Sequence, residues 1–186
     1  MIAEFYGAPY AVATDCCTHA IELSLRHTGA DLISVPTHTY ISVPFTAEKL
    51  NIKYVWSDLL WEYYYYITNN IIDAAVLWQR NSYIPKTYMC LSFQFKKHLS
   101  LGRGGAILCE SKKDYIALKK LSYDGRLPDL PWAEQNIDSM GFHYYMTPET
   151  AQQGIEKLPE AIETIPIPKG WQDYPNLTQN SIFKKH

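Results

Sequence analysis

Few side chains in this sequence have both the type and the setting for covalent or acid–base chemistry. Lys97, in Phe95-Lys96-Lys97-His98-Leu99, carries an amine, although alone it reads as a surface lysine, and so does Lys96. Asp73 falls in the apolar run Ile71-Ile72-Asp73-Ala74-Ala75, where an acid ordinarily caps a turn or a helix. Thr18 opens a helix and would cap it, and Tyr40 would be core. Cys16 and Cys17 are adjacent with no identifiable base nearby, so structural roles account for them. An amine, an acid, a hydroxyl and a ring are parts from which nucleophilic and proton-transfer sites are made. They lie far apart in the chain, and only a fold can bring them together.

The elements that would do so can be read from periodicity. Residues 17–28 read as a helix with Ala20, Ile21, Ser24 and Leu25 on one face and Gly29 as its stop. Leu32-Ile33-Ser34-Val35, ended by Pro36, is a short strand, and Ile52-Lys53-Tyr54-Val55-Trp56 is a second. The run Ile71–Ala75 is apolar enough to be buried on both faces, as parallel strands are. Tyr88–Phe93 and Ala106–Leu108 are two more, the latter following the paired glycines Gly104 and Gly105. Ser111-Lys112-Lys113-Asp114 opens a helix through Leu121 whose lysines are its wet face, and Thr147-Pro148-Glu149 opens another that stops at Leu158, before Pro159. Strands alternating with helices predict a three-layer α/β fold with a mostly parallel sheet, in which ligands collect where strands end and helices begin. The aromatic run Trp61–Ile67 reads as an edge strand with packed rings, and residues 159–186 as an extended, proline-containing arm.

Composition excludes several classes. A chain of 186 residues, 47% hydrophobic and 19% charged, suits one globular domain. Seventeen basic against nineteen acidic residues leave a net charge of −2, so no overall basic field exists for nucleic acid or an anionic membrane. No apolar run is long enough to cross a bilayer, and the N-terminus lacks the basic flank of a secretory signal. Four cysteines without disulfide or metal spacing predict a reduced, cytoplasmic setting. Fifteen tyrosines are the unusual feature, and such rings suit pockets and subunit contacts.

Five blocks in order carry a resemblance. Ser92-Phe93, a lysine five residues after the serine at Lys97, and the paired Gly104-Gly105 resemble the active-site segment of the DegT/DnrJ/EryC1/StrS aminotransferases. Upstream, Ile71–Ala75 resembles that family's apolar strand ending in Asp-Ala-Ala. Cys17-Thr18-His19-Ala20-Ile21-Glu22-Leu23 is similar to its Gly-Thr-Ala-Ala-Leu helix start, and Val35-Pro36-Thr37-His38-Thr39-Tyr40 to its Val-Pro-Ser-x-Thr-aromatic turn. Downstream, Gly141–Thr147 resembles its Gly-Tyr-Asn-Tyr-Arg-Met-Thr segment. Together the blocks cover about Gly7 to Leu158.

The resemblance implies the large domain of a fold type I enzyme that uses pyridoxal 5′-phosphate (PLP) to move an amino group from an amino acid to a nucleotide-linked keto sugar. It implies Lys97 as the amine forming the Schiff base, Asp73 as the carboxylate facing the pyridine nitrogen, and Thr18, His19 and Ser92 around the phosphate. Tyr40 would stack on the ring, and His143 would reach the site of the neighbouring subunit in a homodimer completed across its two-fold axis, with Tyr144 and Tyr145 pointing the same way. No metal is implied. Residues 1–158 would be a truncated PLP-binding domain without the family's small domain. Departures from the pattern are Val76 three residues after Asp73, where the family has Gln or His, Cys17 in place of glycine, Arg103 before the paired glycines, and Tyr145 in place of arginine. Those departures leave an alternative, a protein of this fold that binds a partner without transaminating. His98 resembles the dehydratase branch of the fold, but Lys97 at the five-residue spacing favours transamination.

Overall fold

Side-chain alternation along three neighbouring strands divides the molecule into layers. In the computed structural model, which describes residues 1–184, these are β5 (Ile71–Asp73), β6 (Tyr88–Ser92) and β7 (Gly105–Cys109), preceded by β1 (Tyr10–Thr14), β2 (Leu32–Pro36), β3 (Lys53–Ser57) and β4 (Tyr65–Tyr66). Ile71, Cys90, Ile107 and Cys109 face one way, into a core shared with α2 (Cys17–Thr28), α3 (Ser42–Leu50) and α4 (Lys112–Ser122). Ile72, Met89, Leu91, Ala106 and Leu108 face the other way, against α1 (Ile2–Tyr6), Trp78 and α5 (Pro148–Glu163). Helices thus cover both faces of the sheet, the three-layer α/β arrangement expected from sequence.

The sheet differs from that expectation in direction. Five strands run in the order β1-β7-β6-β5-β4, and only the β5–β6 pair in it is parallel; β1–β7, β6–β7 and β4–β5 are antiparallel. The reason is in the connections. Parallel neighbours need a crossover, and neither the Phe93–Gly104 loop nor the turn at Thr68–Asn70 contains a helix to make one. The second parallel pair, β2–β3, has α3 as its crossover. That two-stranded sheet is tied to the edge of the larger one where the Ser34 amide donates to the Ile67 carbonyl at 2.9 Å.

Helix ends follow local chemistry. Gly29, at φ 66°, closes α2 as predicted, the Ser111 hydroxyl accepts from the Asp114 amide at 3.0 Å, and Thr147 accepts from Thr150 ahead of Pro148. Pro159 does not stop α5, which continues to Glu163. It lies in the last turns of the helix, near the exposed Ile155 whose carbonyl it deprives of a donor, so water can replace the lost bond. Beyond it the chain is not an arm over its described length. Residues 169–183 fold back in short 3₁₀ turns, with Leu177 and Phe183 buried. Residues 185 and 186 of the expected arm lie outside the described residues. The aromatic run gives only the two-residue strand β4, with Trp61, Tyr65 and Ile67 buried.

One contact seats α2 on the sheet. A Cβ on Gly105, at the start of β7, would meet the Cys16 carbonyl carbon at 2.5 Å and the Cys17 amide nitrogen at 2.6 Å. Backbone, not a flexible side chain, would have to move. Gly105→Ala is therefore expected to destabilise the fold by about 2–3 kcal/mol. In urea unfolding this would appear as a lower midpoint at unchanged slope, whereas Gly102→Ala, at a glycine with open space around it, would be governed only by its positive φ.

Candidate active site

Parity and register converge at the ends of β5 and β6. Asp73 pairs with Cys90 on the neighbouring parallel strand, and Ser92 lies two residues further along, opposite Gly105. Both therefore point to the α2 side of the sheet, at its carboxyl edge. A cleft of about 800 Å³ opens there, within the size range of small-ligand pockets. It is lined by Thr18, Tyr40, Asp73, Ser92 and Lys97, five of the seven residues singled out from sequence.

Asp73 is buried, and its two oxygens are engaged separately. The Tyr65 hydroxyl donates to Oδ2 at 2.7 Å and the Ala75 amide to Oδ1 at 2.9 Å. Burial pushes its pKa up, and the two hydrogen bonds and the nearby Lys97 charge pull against that rise. Thr39 Oγ1 lies 2.6 Å from the Tyr65 hydroxyl, extending the network to the turn that carries Tyr40. Lys97 sits in the loop after β6, where its backbone N–H donates to the Gln94 carbonyl at 2.8 Å. Burial pushes its ammonium pKa down; Cys17 and Asp73 oppose the shift, and Lys169 adds to it. Lys96, the neighbouring amine, is exposed.

The α2 N-terminus faces the same cleft. Its Ncap residue, Cys16, makes no side-chain cap, so the first-turn amides and the positive end of the helix dipole remain available to an anion. Thr18 Oγ1 and Ser42 Oγ lie 2.8 Å apart, both lining the cleft beside Tyr40, which is 58% exposed. Four cations, Lys96, Lys97, Arg103 and Lys169, line the cleft against two carboxylates, Asp73 and Asp173. A chain of net negative charge thus concentrates positive charge at one opening.

Two predicted residues are not in the lining. The His19 ring is turned away, with Nδ1 2.7 Å from Asp15 Oδ1 and its face stacked on Tyr144 at 3.6 Å and 8°. Its part in the cleft is confined to the helix end on which it sits. His143 bonds Asp124 at 2.9 Å and its side chain is 70% exposed, outside the cleft of its own chain. Tyr144 does not point outward either: its ring covers His19 and its hydroxyl accepts from Lys49 Nζ at 2.9 Å. Val76 lines the cleft with no polar atom to offer.

Several residues of the site escaped sequence reasoning. Tyr65 was hidden in an aromatic run, Arg103 works through its 2.6 Å ion pair with Asp15, and Trp61, Lys169 and Tyr174 come from segments read as an edge strand and an arm. The backbone bonds Tyr63 N–H to Lys169 O (3.0 Å), Trp171 N–H to Trp61 O (3.0 Å) and Leu177 N–H to Thr37 O (2.8 Å) hold that last segment against the opening. Gly170 was the available signal: a Cβ there would lie 2.8 Å from the Trp61 carbonyl oxygen.

His19 makes the neighbourhood of α2 sensitive to alkali. Burial alone would lower its pKa, but the hydrogen bond and charge of Asp15 outweigh it and raise the value to about 9. A raised imidazole pKa stabilises the fold fully below the unfolded value near 6.5, and that contribution is lost as pH rises through about 9. The melting temperature should therefore fall between pH 6.5 and 9 more steeply in the parent protein than in His19→Gln, and parallel curves would refute the assignment.

The chain is similar to known proteins in sequence over part of its length and in fold over most of it. Residues 1–88 match the family model described as the DegT/DnrJ/EryC1/StrS aminotransferase family. No curated protein is similar to the chain in sequence at a significant level. Among solved structures, AtS13 from Actinomadura melliaura superimposes with a TM-score of 0.77 at 16% identity, covering 87% of this chain and 58% of its own. The PLP form of Spr1654 from Streptococcus pneumoniae, a candidate sugar aminotransferase, gives 0.71 at 16% identity over 86% and 57%. PseC from Helicobacter pylori, an aminotransferase involved in the biosynthesis of pseudoaminic acid, gives 0.67 at 12% over 86% and 56%. The chain thus spans a little over half the length of the structures it resembles. Over residues 1–88 the sequence is thus similar to the DegT/DnrJ/EryC1/StrS aminotransferase family, and over most of its length the chain shares the fold of these structures.

Proposed function

We propose that the protein is a PLP-dependent aminotransferase that takes an amino group from an amino acid and delivers it to a keto sugar carried on a nucleotide. The observation that carries this reading is that the Lys97 amine and the buried Asp73 carboxyl, far apart in sequence, line one cleft with the open N-terminus of α2. The residues present fit the cofactor. Asp73 keeps lone pairs beyond those used by Tyr65 and Ala75, and can accept from a protonated ring nitrogen. The first-turn amides of Cys17, Thr18 and His19, with the Ser92 hydroxyl and the Arg103 guanidinium nearby, suit a phosphate. Tyr40, beside the opening, offers a ring to cover one face.

Bound there, PLP would supply an electron sink for the bond broken at the amino donor's α-carbon. The chain's own groups do the rest. Asp73 would hold positive charge at the ring nitrogen, the α2 end and Ser92 would bind the phosphate, and Lys97 would move the proton at the reacting carbon. The positive opening favours acceptors bearing phosphates. The sugar acceptor is suggested by what the names of similar structures say of those proteins. A homodimer, in which the exposed His143 and the half-buried Tyr145 of one chain approach the opening of the other, belongs to the same reading. A reducing cytoplasm suits four cysteines that form no disulfide.

Purified protein incubated with PLP should turn yellow, and borohydride should fix the cofactor on the peptide containing Lys97. Lys97→Ala should abolish the fixed adduct, and Asp73→Asn should weaken uptake by at least about tenfold, the loss of one charge-assisted hydrogen bond. An amino donor should then bleach the visible band. Colour that no amino acid bleaches would favour a binding subunit of the same fold over an enzyme, and a protein that takes up no PLP would remove the cofactor from the account.

A further inference from the structure

The lysine that ends the Ile165-Pro166-Ile167-Pro168 stretch enters the reading above only as one of four cations at the opening. Lys169 lines the main cleft and also a smaller pocket of about 160 Å³ beside it, and Lys97 lines both as well. Among the described residues neither lysine makes an ion pair or a side-chain hydrogen bond. The Lys169 position is not loose. Its carbonyl accepts from Tyr63, the next residue pairs with Glu62, and the Trp171 amide bonds the Trp61 carbonyl, so the backbone on both sides of it is pinned to the 61–63 segment.

We infer that Lys169 is a positioning residue for Lys97: carried on a pinned backbone and lining the same two cavities, its ammonium opposes protonation of the Lys97 amine and so adds to the free-amine fraction that burial already favours. Two unpaired cations in one half-buried space repel each other, and the one less able to reach water gives up its proton first. Burial does most to lower the proton affinity of Lys97, and among the charged groups around it Lys169 is the one that adds to that effect. Asp173, in the turn after Lys169, accepts from the Gly170 amide at 2.9 Å, and burial pushes the Tyr65 and Tyr174 phenols up, so that both stay neutral. From α2 comes the Cys17 thiol, which burial pushes far up, so that it stays neutral. From β5 comes Asp73, already engaged by two donors and favouring protonation of Lys97. On the loop itself, His98 is turned to the Ala161 carbonyl at 2.8 Å and Lys96 is exposed. The inference rests on the reading of Lys97 as the reacting amine, but it concerns the protein before any cofactor binds.

Reductive methylation of the cofactor-free protein with formaldehyde and cyanoborohydride, followed by peptide mass spectrometry from pH 6 to 10, reads the free-amine fraction of Lys97 directly. Lys112 and Lys113, exposed on α4, are internal references. In Lys169→Met the Lys97 profile should move to higher pH by about half a unit, so that labelling at pH 7.5 falls about threefold. Lys169→Arg should keep the parent profile. A Lys97 profile in Lys169→Met that superimposes on the parent's overturns the inference. So does an equal shift in Lys169→Arg, which would assign the effect to lost packing instead of charge. The cofactor reading fails separately: an amine acidified by Lys169 in a protein that takes up no PLP would sink that reading and leave this one standing.

Discussion

The backbone of Gly105 meets the backbone of Cys16 and Cys17 with no room for a side chain between them, and the site rests on that contact. A helix whose first amides are left uncapped has lost a local source of stability, so its position must be secured from elsewhere. Here α2 is held along its length. Ala20, Ile21, Leu23 and Leu25 are buried in the core, and Glu22, 1% exposed, accepts from Arg26 at 3.0 Å and Lys49 at 2.8 Å. At the open end, Asp15 bridges His19 and Arg103. With the helix fixed this way, its N-terminus can stay exposed to a ligand without fraying.

The second constraint is electrostatic. A buried carboxyl without partners would simply take up a proton. Tyr65 and the Ala75 amide offset part of the desolvation cost of Asp73, and the charge of Lys97 favours its ionised form. The same desolvation works on Lys97 in the opposite direction, lowering its affinity for a proton. Acid and amine are each shifted toward the other by one environment, as happens where a fold prepares proton-transfer chemistry. Structural ion pairs, such as Lys119–Asp129 on the surface, carry no such consequence.

The segment after α5 closes the arrangement. Its isoleucines, Ile165 and Ile167, are almost fully exposed, whereas Gly170, Leu177 and Phe183 are buried and its backbone bonds reach Thr37, Trp61 and Tyr63. It places Lys169, Asp173 and Tyr174 in the wall of the cleft. The hairpin at Thr68–Asn70 supports that wall from behind through the buried Tyr65, whose hydroxyl links Thr39 to Asp73.

Local chemistry made much of this legible in the residues themselves. Gly29 and Thr147 mark helix boundaries because caps act within one turn, and the apolar run through Asp73 marks a buried strand because burial demands it. A family resemblance carried by five ordered blocks, the Ser92-to-Lys97 spacing among them, named five residues that line the cleft. Strand direction was not legible, since an antiparallel return and a parallel crossover can be built from the same apolar strands and differ only in the connection. The turning of His19 toward Asp15 and Tyr144, the exposure of His143 and the docking of Lys169 were not legible either. Each depends on contacts between residues distant in the chain. By itself the sequence determined which groups were available and which elements would carry them. Only the tertiary structure decided which of those groups meet, because burial, and with it every shifted proton affinity in the cleft, is a property of the packed molecule.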